Sequence, residues 1–411
     1  MKKYSKTTTR AADGRFITQY PFKHDPPQLG RSRDIALKRL RANESRQIRE
    51  PEIRQHYTKF MDQYDSQGHM EAVPYPDPAE EANYLPHHAV IRKDALTTKH
   101  RVVYDTSTKN SNGKSLNDEQ LLGPVVQLDL VSILIRSRRH KAAITGDIEI
   151  MYIQILLYPS QWDYQRMVWR RNFDDPPTNY RLFTVSYGTE IAPFLATRCL
   201  IQIADDIQSK NPQIADIIRY DFYMDDLLSG ADSREDAAKI LEEVIQVLKG
   251  YGFPLRKWAS NKPFVIQQQQ TGTGKTEYLV NPEKVIKTLG MKWNTDEYTS
   301  FVAHLKPVPP NTMRSFLSEI AGIYDPMGFA APVIITAKML MQELWRAKVT
   351  WDEPMPAAVK KMYDEFRLHL PCLADLTIPR WIHTTTDSDF ELHGDLAMPL
   401  GEHLRQQFTP E

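Results

Sequence analysis

The sequence predicts an α+β fold in which helices back an antiparallel sheet. Residues 219–230 place short apolar runs on both sides of Asp225 and Asp226, a pattern that predicts a hairpin with the two carboxylates at its bend. Residues 142–147 form an apolar run that ends at an acid, Asp147, and predict a strand. Residues 233–249 carry an apolar stripe of helical period behind a capping pattern, and predict a helix that packs behind the hairpin.

The acidic residues of these segments suggest a metal site. Two like charges about 4 Å apart repel by roughly 4 kcal/mol at an effective dielectric constant of about 20. A divalent cation removes that repulsion, and hard cations such as Mg²⁺ prefer oxygen ligands. Taken alone, an Asp-Asp pair such as Asp225 and Asp226 is far more often a solvated turn. Asp147 upstream supplies the third carboxylate that two-metal nucleotidyl transfer requires, and so favours the metal site.

Length and composition set the limits of these predictions. At 411 residues the chain has room for two to four domains. Its 52 Lys and Arg balance its 52 Asp and Glu, which is weak evidence against nucleic-acid binding, but residues 1–60 hold 15 basic against 6 acidic residues. Two cysteines exclude a disulfide framework, and the sequence shows neither a membrane-spanning run nor a signal region. We therefore expect an intracellular protein with no membrane partner.

Other elements follow from local patterns. Residues 1–33 are polar, basic and rich in Pro and Gly, and predict a linker or loosely ordered arm. Residues 34–50, between a Ser32 cap and Pro51, predict a helix with a basic face, which is either a solvated surface or a template-binding one. The sequence further predicts a helix at 52–70, a strand pair within 85–110, a strand at 180–185 before a helix near Pro193, a strand and turn at 285–293, and helices from 312 to 347 interrupted at 325–328.

A series of blocks then gives a family resemblance. These blocks are residues 101–105, 115–118, 146–149, 187–189, 192–200, 223–226, 255–261, 317–321 and 324–328. In this order they resemble, almost end to end, the reverse transcriptase region of BEL/Pao-type LTR retrotransposons, the Pao retrotransposon peptidase family. The resemblance implies a right-hand polymerase with fingers, palm and thumb and a helical N-terminal extension. It divides the chain into a basic linker with N-terminal helices (1–75), fingers and palm (76–265), a thumb and primer-grip region (266–350), and a connection with the truncated start of a ribonuclease H-like domain (351–411).

The same resemblance implies a set of site residues. Asp147, Asp225 and Asp226, with the backbone carbonyl of Ile148, would hold two Mg²⁺ ions, or Mn²⁺ in their place. The nucleotide-binding residues would be Lys93, Arg101, Tyr152 and Gly188, with Tyr152 excluding a 2′-hydroxyl group. The primer-binding residues would be Tyr223, Met224, Gly290 and Met291, and Lys257 would approach the leaving pyrophosphate. Simpler alternatives are exposed basic residues for Lys93 and Arg101, a core aromatic for Tyr152, an ordinary turn for Gly188 and a surface lysine for Lys257.

The resemblance implies an RNA-directed DNA polymerase that acts in the cytoplasm or in virus-like particles. Its partners would be an RNA template, a DNA or tRNA primer and dNTPs. Ile150 and Ile153 stand where the family usually has cations, and Glu190 and Ile191 replace small residues. These departures, and an end that leaves no room for the remaining ribonuclease H carboxylates, keep a second hypothesis open. It is an inactive or domesticated element that binds nucleic acid or protein. We expect no ribonuclease H activity, and the sequence predicts no oligomeric state.

Overall fold

The computed structural model describes residues 7–73, 82–91, 100–270, 285–288, 291–294, 298–300, 305 and 307–384. The strands are β1 Thr9–Arg10, β2 Phe16–Thr18, β3 Met70–Ala72, β4 His87–Ile91, β5 His100–Tyr104, β6 Ala142–Ile148, β7 Leu156–Leu157, β8 Arg166–Trp169, β9 Thr178–Leu182, β10 Phe222–Tyr223, β11 Asp226–Ala231, β12 Leu255–Ser260, β13 Val285–Thr288, β14 Met291–Asn294, β15 Tyr298–Ser300 and β16 Thr377–Pro379. The α-helices are α1 Arg33–Arg49, α2 Pro51–Ser66, α3 Leu116–Glu119, α4 Leu130–Ser137, α5 Ala192–Ile207, α6 Pro212–Tyr220, α7 Arg234–Gly250, α8 Pro263–Gln270, α9 Met313–Ile320, α10 Ala331–Arg346 and α11 Ala357–His369.

The chain divides into two compact units. The first comprises Met1–Gln127, Ile148–Tyr220 and Glu243–Arg256. The second comprises Leu128–Asp147, Asp221–Glu242 and Lys257–Glu411. Each unit therefore draws on distant stretches of the sequence. No helix among the described residues is both long enough and apolar enough to cross a membrane.

The beginning of the first unit corrects the prediction of a loosely ordered arm. Strands β1 and β2 pair with each other, and β2 also pairs in parallel with β7. Phe16, Tyr20 and Phe22 are buried. The Tyr20 hydroxyl donates a hydrogen bond to Gln165 Oε1 at 3.0 Å. The prediction was wrong for residues 7–33 because these aromatic side chains bury against partners far away in sequence, which outweighs the polar local composition.

The two predicted N-terminal helices are confirmed. Helix α1 begins after Ser32 and ends before Pro51, at the predicted positions. Ser32 makes no capping hydrogen bond, because its Oγ donates to Asn83 Oδ1 at 3.2 Å and accepts from the Tyr84 backbone N–H at 2.6 Å. The apolar face of α2 is buried, and its Tyr57 ring stacks on Trp169 of β8 with 5.0 Å between centroids. Strand β8 belongs to the sheet β3-β9-β8. Aromatic stacking of this kind adds about 1 kcal/mol beyond the burial of apolar area, so it fixes α2 on that sheet.

The second unit holds the predicted hairpin, which is confirmed. Strands β10 and β11 pair antiparallel, and the sheet order is β10-β11-β6-β12. Strand β11 runs antiparallel to β6 from the pair Asp226↔Asp147 to the pair Ala231↔Ala142. Ile133 and Leu134 of α4 pack with Leu228 of β11. The strand that carries Asp147 therefore lies directly beside the hairpin, with α4 against it.

Helices and a second sheet complete the second unit. Buried apolar side chains of α9, α10 and α11 form one cluster, which includes Phe316, Leu344 and Tyr363. The predicted interruption between α9 and α10 is confirmed. There the Asp325 carboxylate accepts hydrogen bonds from the backbone N–H groups of Phe329, at 3.0 Å, and Ala330, at 2.7 Å. Strands β13, β14, β15 and β16 form the second antiparallel sheet.

Candidate active site

The bend of the β10–β11 hairpin is a tight two-residue turn. Tyr223 pairs with Asp226, so only Met224 and Asp225 lie between the strands. Met224 has a φ of +55°, in the left-handed region. A two-residue hairpin loop needs such a φ, and glycine or asparagine usually supplies it, since other residues lose roughly 1–2 kcal/mol. The hairpin keeps this unfavourable conformation at the point where it displays Asp225, as strained residues at functional sites often do.

The sheet brings two of the three predicted aspartates together. Asp226, the first residue of β11, is the direct cross-strand partner of Asp147 on β6. Side chains at paired antiparallel positions lie on the same face, with Cβ atoms about 5 Å apart. Asp225 precedes Asp226 at the turn. The predicted carboxylates are therefore assembled by backbone register, although they are separated by nearly eighty residues in the sequence.

This assembly raises the pKa of Asp226 from 3.8 to about 7. Burial is the largest cause, followed by the negative charges of Asp225 and then Asp147. Lys257 acts in the opposite direction. Its Nζ lies 3.3 Å from Asp147 Oδ2, and its φ of +49° is unusual for a residue within a strand. The site therefore gathers more negative charge than its surroundings compensate.

A divalent cation fits this donor set. Each carboxylate offers oxygen ligands, and a bound cation would offset the mutual repulsion that raises the pKa of Asp226. Within the described parts of the chain, no three acidic, histidine or cysteine side chains stand in a ready-made metal cluster. The ammonium group of Lys257 instead supplies part of the compensating charge at Asp147. Cation binding would therefore require the carboxylate side chains to converge and Asp226 to be ionised.

A buried aspartate that the sequence analysis did not single out connects the hairpin to α4 by hydrogen bonds. Asp221 is 2 % exposed and directly precedes β10. It accepts hydrogen bonds from Arg136 Nε of α4 at 3.0 Å and from Ser229 Oγ of β11 at 2.7 Å. Burial raises the pKa of Asp221, while Arg136 opposes that shift. The sequence signal for this role was an acid next to an apolar strand pattern. The hydrogen bonds of Asp221 connect both hairpin strands to α4.

Asn261 fixes the other side of the strand that carries Asp147. Its Oδ1 accepts a hydrogen bond from the backbone N–H of Ala143 at 2.8 Å. Its Nδ2 donates to the carbonyl of Lys141 at 2.9 Å. Asn261 is buried, and its bond with Ala143 is shielded from water. This residue closes one of the family blocks in the sequence, and the structure gives that block a positioning role for β6.

In the first unit, Gly188 and Tyr152 have well-defined surroundings. Gly188 has a φ of +109°, and an added Cβ would lie 2.2 Å from the carbonyl oxygen of Tyr104. The close approach that glycine permits here is therefore to the protein's own backbone. Tyr152 lies in a 3₁₀ helix, Met151–Gln154, and its ring centroid is 5.2 Å from that of Tyr187. Its side chain is half-buried, which leaves part of the ring accessible.

The remaining predicted residues are placed only in part. Ile148 follows Asp147 on β6 and is buried. Arg101 lies in β5 opposite Val90, and Met291 in β14 opposite Thr288, in each case described by backbone alone. Lys93 and Gly290 lie outside the described residues. The structure thus brings together Asp147, Asp225, Asp226, Lys257, Tyr223 and Met224 around the hairpin.

The four departures from the family pattern fall into two groups. Ile153 and Ile191 are both buried in the core, and at Ile153 a cation would lose its hydration. Ile150 is 39 % exposed with a φ of +44°, and the Glu190 side chain is exposed. Two of the isoleucines are therefore structural residues of this chain, whereas Ile150 and Glu190 alter the character of its surface.

Comparisons with known proteins agree with this geometry. Residues 91–269 match the family model of reverse transcriptase (RNA-dependent DNA polymerase), and residues 312–395 match that of the Pao retrotransposon-like RNaseH-like domain. A foamy viral protease-reverse transcriptase dRH, solved in complex with double-stranded DNA, is similar with 14% identity and a TM-score of 0.50, over 75% of this chain and 46% of that one. A foamy viral protease-reverse transcriptase in complex with an RNA/DNA hybrid has 14% identity and a TM-score of 0.49, over 74% and 35%. No curated protein matches.

These findings define the class of the protein. The chain contains a reverse transcriptase domain, and its mixed α and β structure with antiparallel sheets has the fold of reverse transcriptase polymerases. The two family matches together confirm the narrower prediction, a reverse transcriptase region of the Pao retrotransposon type. The chain spans less than half the length of either foamy viral protein.

Proposed function

We propose that this chain is an RNA-directed DNA polymerase, which transfers a nucleotidyl group from a dNTP to a primer 3′-hydroxyl group. The observation that carries the proposal is the register of Asp226 with Asp147 beside a strained turn that displays Asp225. It lies within the reverse transcriptase match. The foamy viral protein of similar fold was solved with double-stranded DNA, which supports a nucleic-acid partner, and for this chain we propose an RNA template with a DNA or tRNA primer.

In this proposal Asp147, Asp225 and Asp226, with the carbonyl of Ile148, hold two Mg²⁺ ions, for which Mn²⁺ can substitute. Such ions activate the attacking hydroxyl group and stabilise the leaving group. Asp226 must release its proton to serve as a ligand, because its pKa in the absence of metal is about 7. Lys257 neutralises part of the charge of Asp147 and stands near the place where a leaving pyrophosphate would carry negative charge.

The other predicted residues select and position the substrates. Tyr152 presents its half-buried ring to the sugar and excludes a 2′-hydroxyl group by steric conflict. Arg101 and Lys93 neutralise triphosphate oxygens, and Gly188 holds the adjoining turn close to Tyr104.

Tyr223, Met224, Gly290 and Met291 contact the primer. The domain limits we propose remain 1–75, 76–265, 266–350 and 351–411, with the enzyme working in the cytoplasm or in virus-like particles.

A second candidate function is binding without synthesis, as in an inactive or domesticated element. The exposed Glu190 side chain and the exposed Ile150 favour it, because both reduce positive potential at the surface. The two functions differ in one assay, primer extension with dNTPs and Mg²⁺ on an RNA template. Extension by the parent protein and none by Asp147→Asn supports the polymerase. Tight binding of template–primer by a folded parent protein that never extends it supports the second candidate.

A further inference from the structure

Helix α1 carries a row of cations that the proposed active site does not use. Lys38, Arg39, Arg41, Arg46 and Arg49 are all exposed. At 100° per residue these five positions fall within an arc of about 160°, so they share the solvent-facing side of the helix. We call this surface the α1 basic face. The whole chain has a net charge of zero, so the α1 basic face is a local concentration of positive charge.

The opposite side of α1 anchors the helix firmly in the first unit. Ala36, Leu40, Glu44 and Gln47 are its buried residues. Glu44 receives two charge-assisted hydrogen bonds from Arg170, from Nε at 2.7 Å and from Nη2 at 2.6 Å. One acidic side chain of the helix is thereby buried and neutralised away from the basic face. The cations are consequently displayed from a fixed support and not from a frayed segment.

Few acids offset the α1 basic face. Glu50 pairs with Arg46 at 3.1 Å, and both side chains are half exposed, so this pair is weak. Asp34 is exposed in the first turn. Lys38, Arg39, Arg41 and Arg49 form no ion pair with any residue in the described part of the chain. Over residues 34–50 the exposed charges are five cations against two acids, an excess of three.

We propose that the α1 basic face binds the phosphate backbone of the template–primer duplex, with residues other than those of the proposed metal site. This inference rests on the proposed function and extends it to a second nucleic-acid contact. From Lys38 to Arg49 the helix rises by about 16 Å, which matches about five phosphates of one strand. Exposed arginine and lysine side chains on a rigid helix suit phosphate contacts that are independent of sequence.

The first experiment measures how binding depends on salt. Fluorescence anisotropy with the full chain, from 50 to 200 mM salt, would compare the parent with the triple variant Lys38→Gln/Arg41→Gln/Arg49→Gln. The slope of log K against log[salt] is negative, and each lost phosphate contact reduces its magnitude by about 0.9. For the triple variant we therefore expect the magnitude to fall by about 2 to 3 and binding to be at least about ten-fold weaker. An RNA/DNA hybrid and single-stranded RNA of equal length serve as probes. A smaller slope magnitude with the hybrid supports the duplex as the ligand of the α1 basic face. A smaller magnitude with the single-stranded RNA alone would overturn the inference.

Two control variants separate contact from net charge. Arg41→Lys/Arg49→Lys keeps both charges and should retain the parent slope. Lys239→Gln/Lys249→Gln/Lys361→Gln removes three exposed charges from other helices and should change the slope by less than one unit. An unchanged slope in the α1 triple variant, or an equal loss in both triple variants, would overturn the inference. If the α1 triple variant fails to fold, Arg41→Gln alone should lower the slope by about 0.9, and no change would be equally decisive.

Failure of this inference can be told from failure of the proposed function. At saturating template–primer the α1 triple variant should extend at the parent rate per bound complex, because its cations lie outside the metal site. A parent that binds but never extends, together with weakened binding by the triple variant, would retain the α1 contact and reject the polymerase. A parent that extends, with unchanged binding by the triple variant, would retain the polymerase and reject the α1 contact.

Discussion

Replacing Asp226 by asparagine should abolish synthesis and yet stabilise the metal-free protein. The carboxylate is partly buried beside Asp147 and Asp225, and its pKa is raised from 3.8 to about 7. Between these two values the folded state binds more protons at this group than the unfolded state does. Stability contributed by this group therefore falls as the pH rises through that window. Asparagine keeps the shape of the side chain and removes the titration.

The size of the effect follows from the pKa shift. One pKa unit corresponds to 1.36 kcal/mol, so above pH 7 the ionised Asp226 lowers the free energy of unfolding by about 4 kcal/mol. At pH 5.5 the corresponding loss is about 2 kcal/mol. Asp226→Asn should therefore be more stable than the parent at pH 8, and its advantage should shrink by about 2 kcal/mol at pH 5.5.

Urea denaturation in EDTA at pH 5.5 and pH 8 measures this difference. Asp375→Asn removes one exposed carboxylate elsewhere and controls for net charge. Adding Mg²⁺ at pH 8 should stabilise the parent but not Asp226→Asn, because a bound cation favours the ionised ligand. The reasoning is refuted if Asp226→Asn is no more stable than the parent at pH 8, or if its advantage is the same at both pH values.

Three further substitutions test separate parts of the site. Lys257→Gln removes the cation that lowers the pKa of Asp226, so the pH–rate profile of Mg²⁺-dependent synthesis should move to higher pH, and an unmoved profile would contradict this. Asp221→Ala removes the acceptor of the hydrogen bonds from Arg136 and Ser229 and should lower the free energy of unfolding by about 2 kcal/mol, and an unchanged melting temperature would contradict this. Gly188→Ala should lower it by more than about 2 kcal/mol, because of the left-handed φ and the close carbonyl oxygen of Tyr104, and an unchanged melting temperature would exclude this packing.

The parts of the fold that sequence predicted well are those with local causes. The hairpin follows from two apolar runs around an acidic turn, and the end of α1 follows from the stop at Pro51. Three carboxylates within the family blocks were sufficient to propose a catalytic set. Their assembly depends on the pairing of Asp226 with Asp147, which is a property of sheet register and not of either segment alone.

The parts that sequence missed have causes distant in the chain. The order of residues 7–33 depends on contacts such as that of Tyr20 with Gln165, which no local pattern contains. The support of the hairpin by Asp221 requires Arg136, which lies on another element. Glycine is required at position 188 because the carbonyl oxygen of Tyr104 lies where a Cβ atom would be. In each case the deciding partner lies on another element, and only the tertiary structure shows it.

The central claim is that the hairpin aspartates hold the cations for RNA-directed DNA synthesis. Single-turnover primer extension on a heteropolymeric RNA template, with dNTPs and Mg²⁺, tests it most directly when the parent, Asp225→Asn and Asp375→Asn are compared. The account predicts extension by the parent and by Asp375→Asn, and a loss of at least about a thousand-fold in Asp225→Asn, which would be about 4 kcal/mol of transition-state stabilisation. Extension by Asp225→Asn at the parent rate would contradict it.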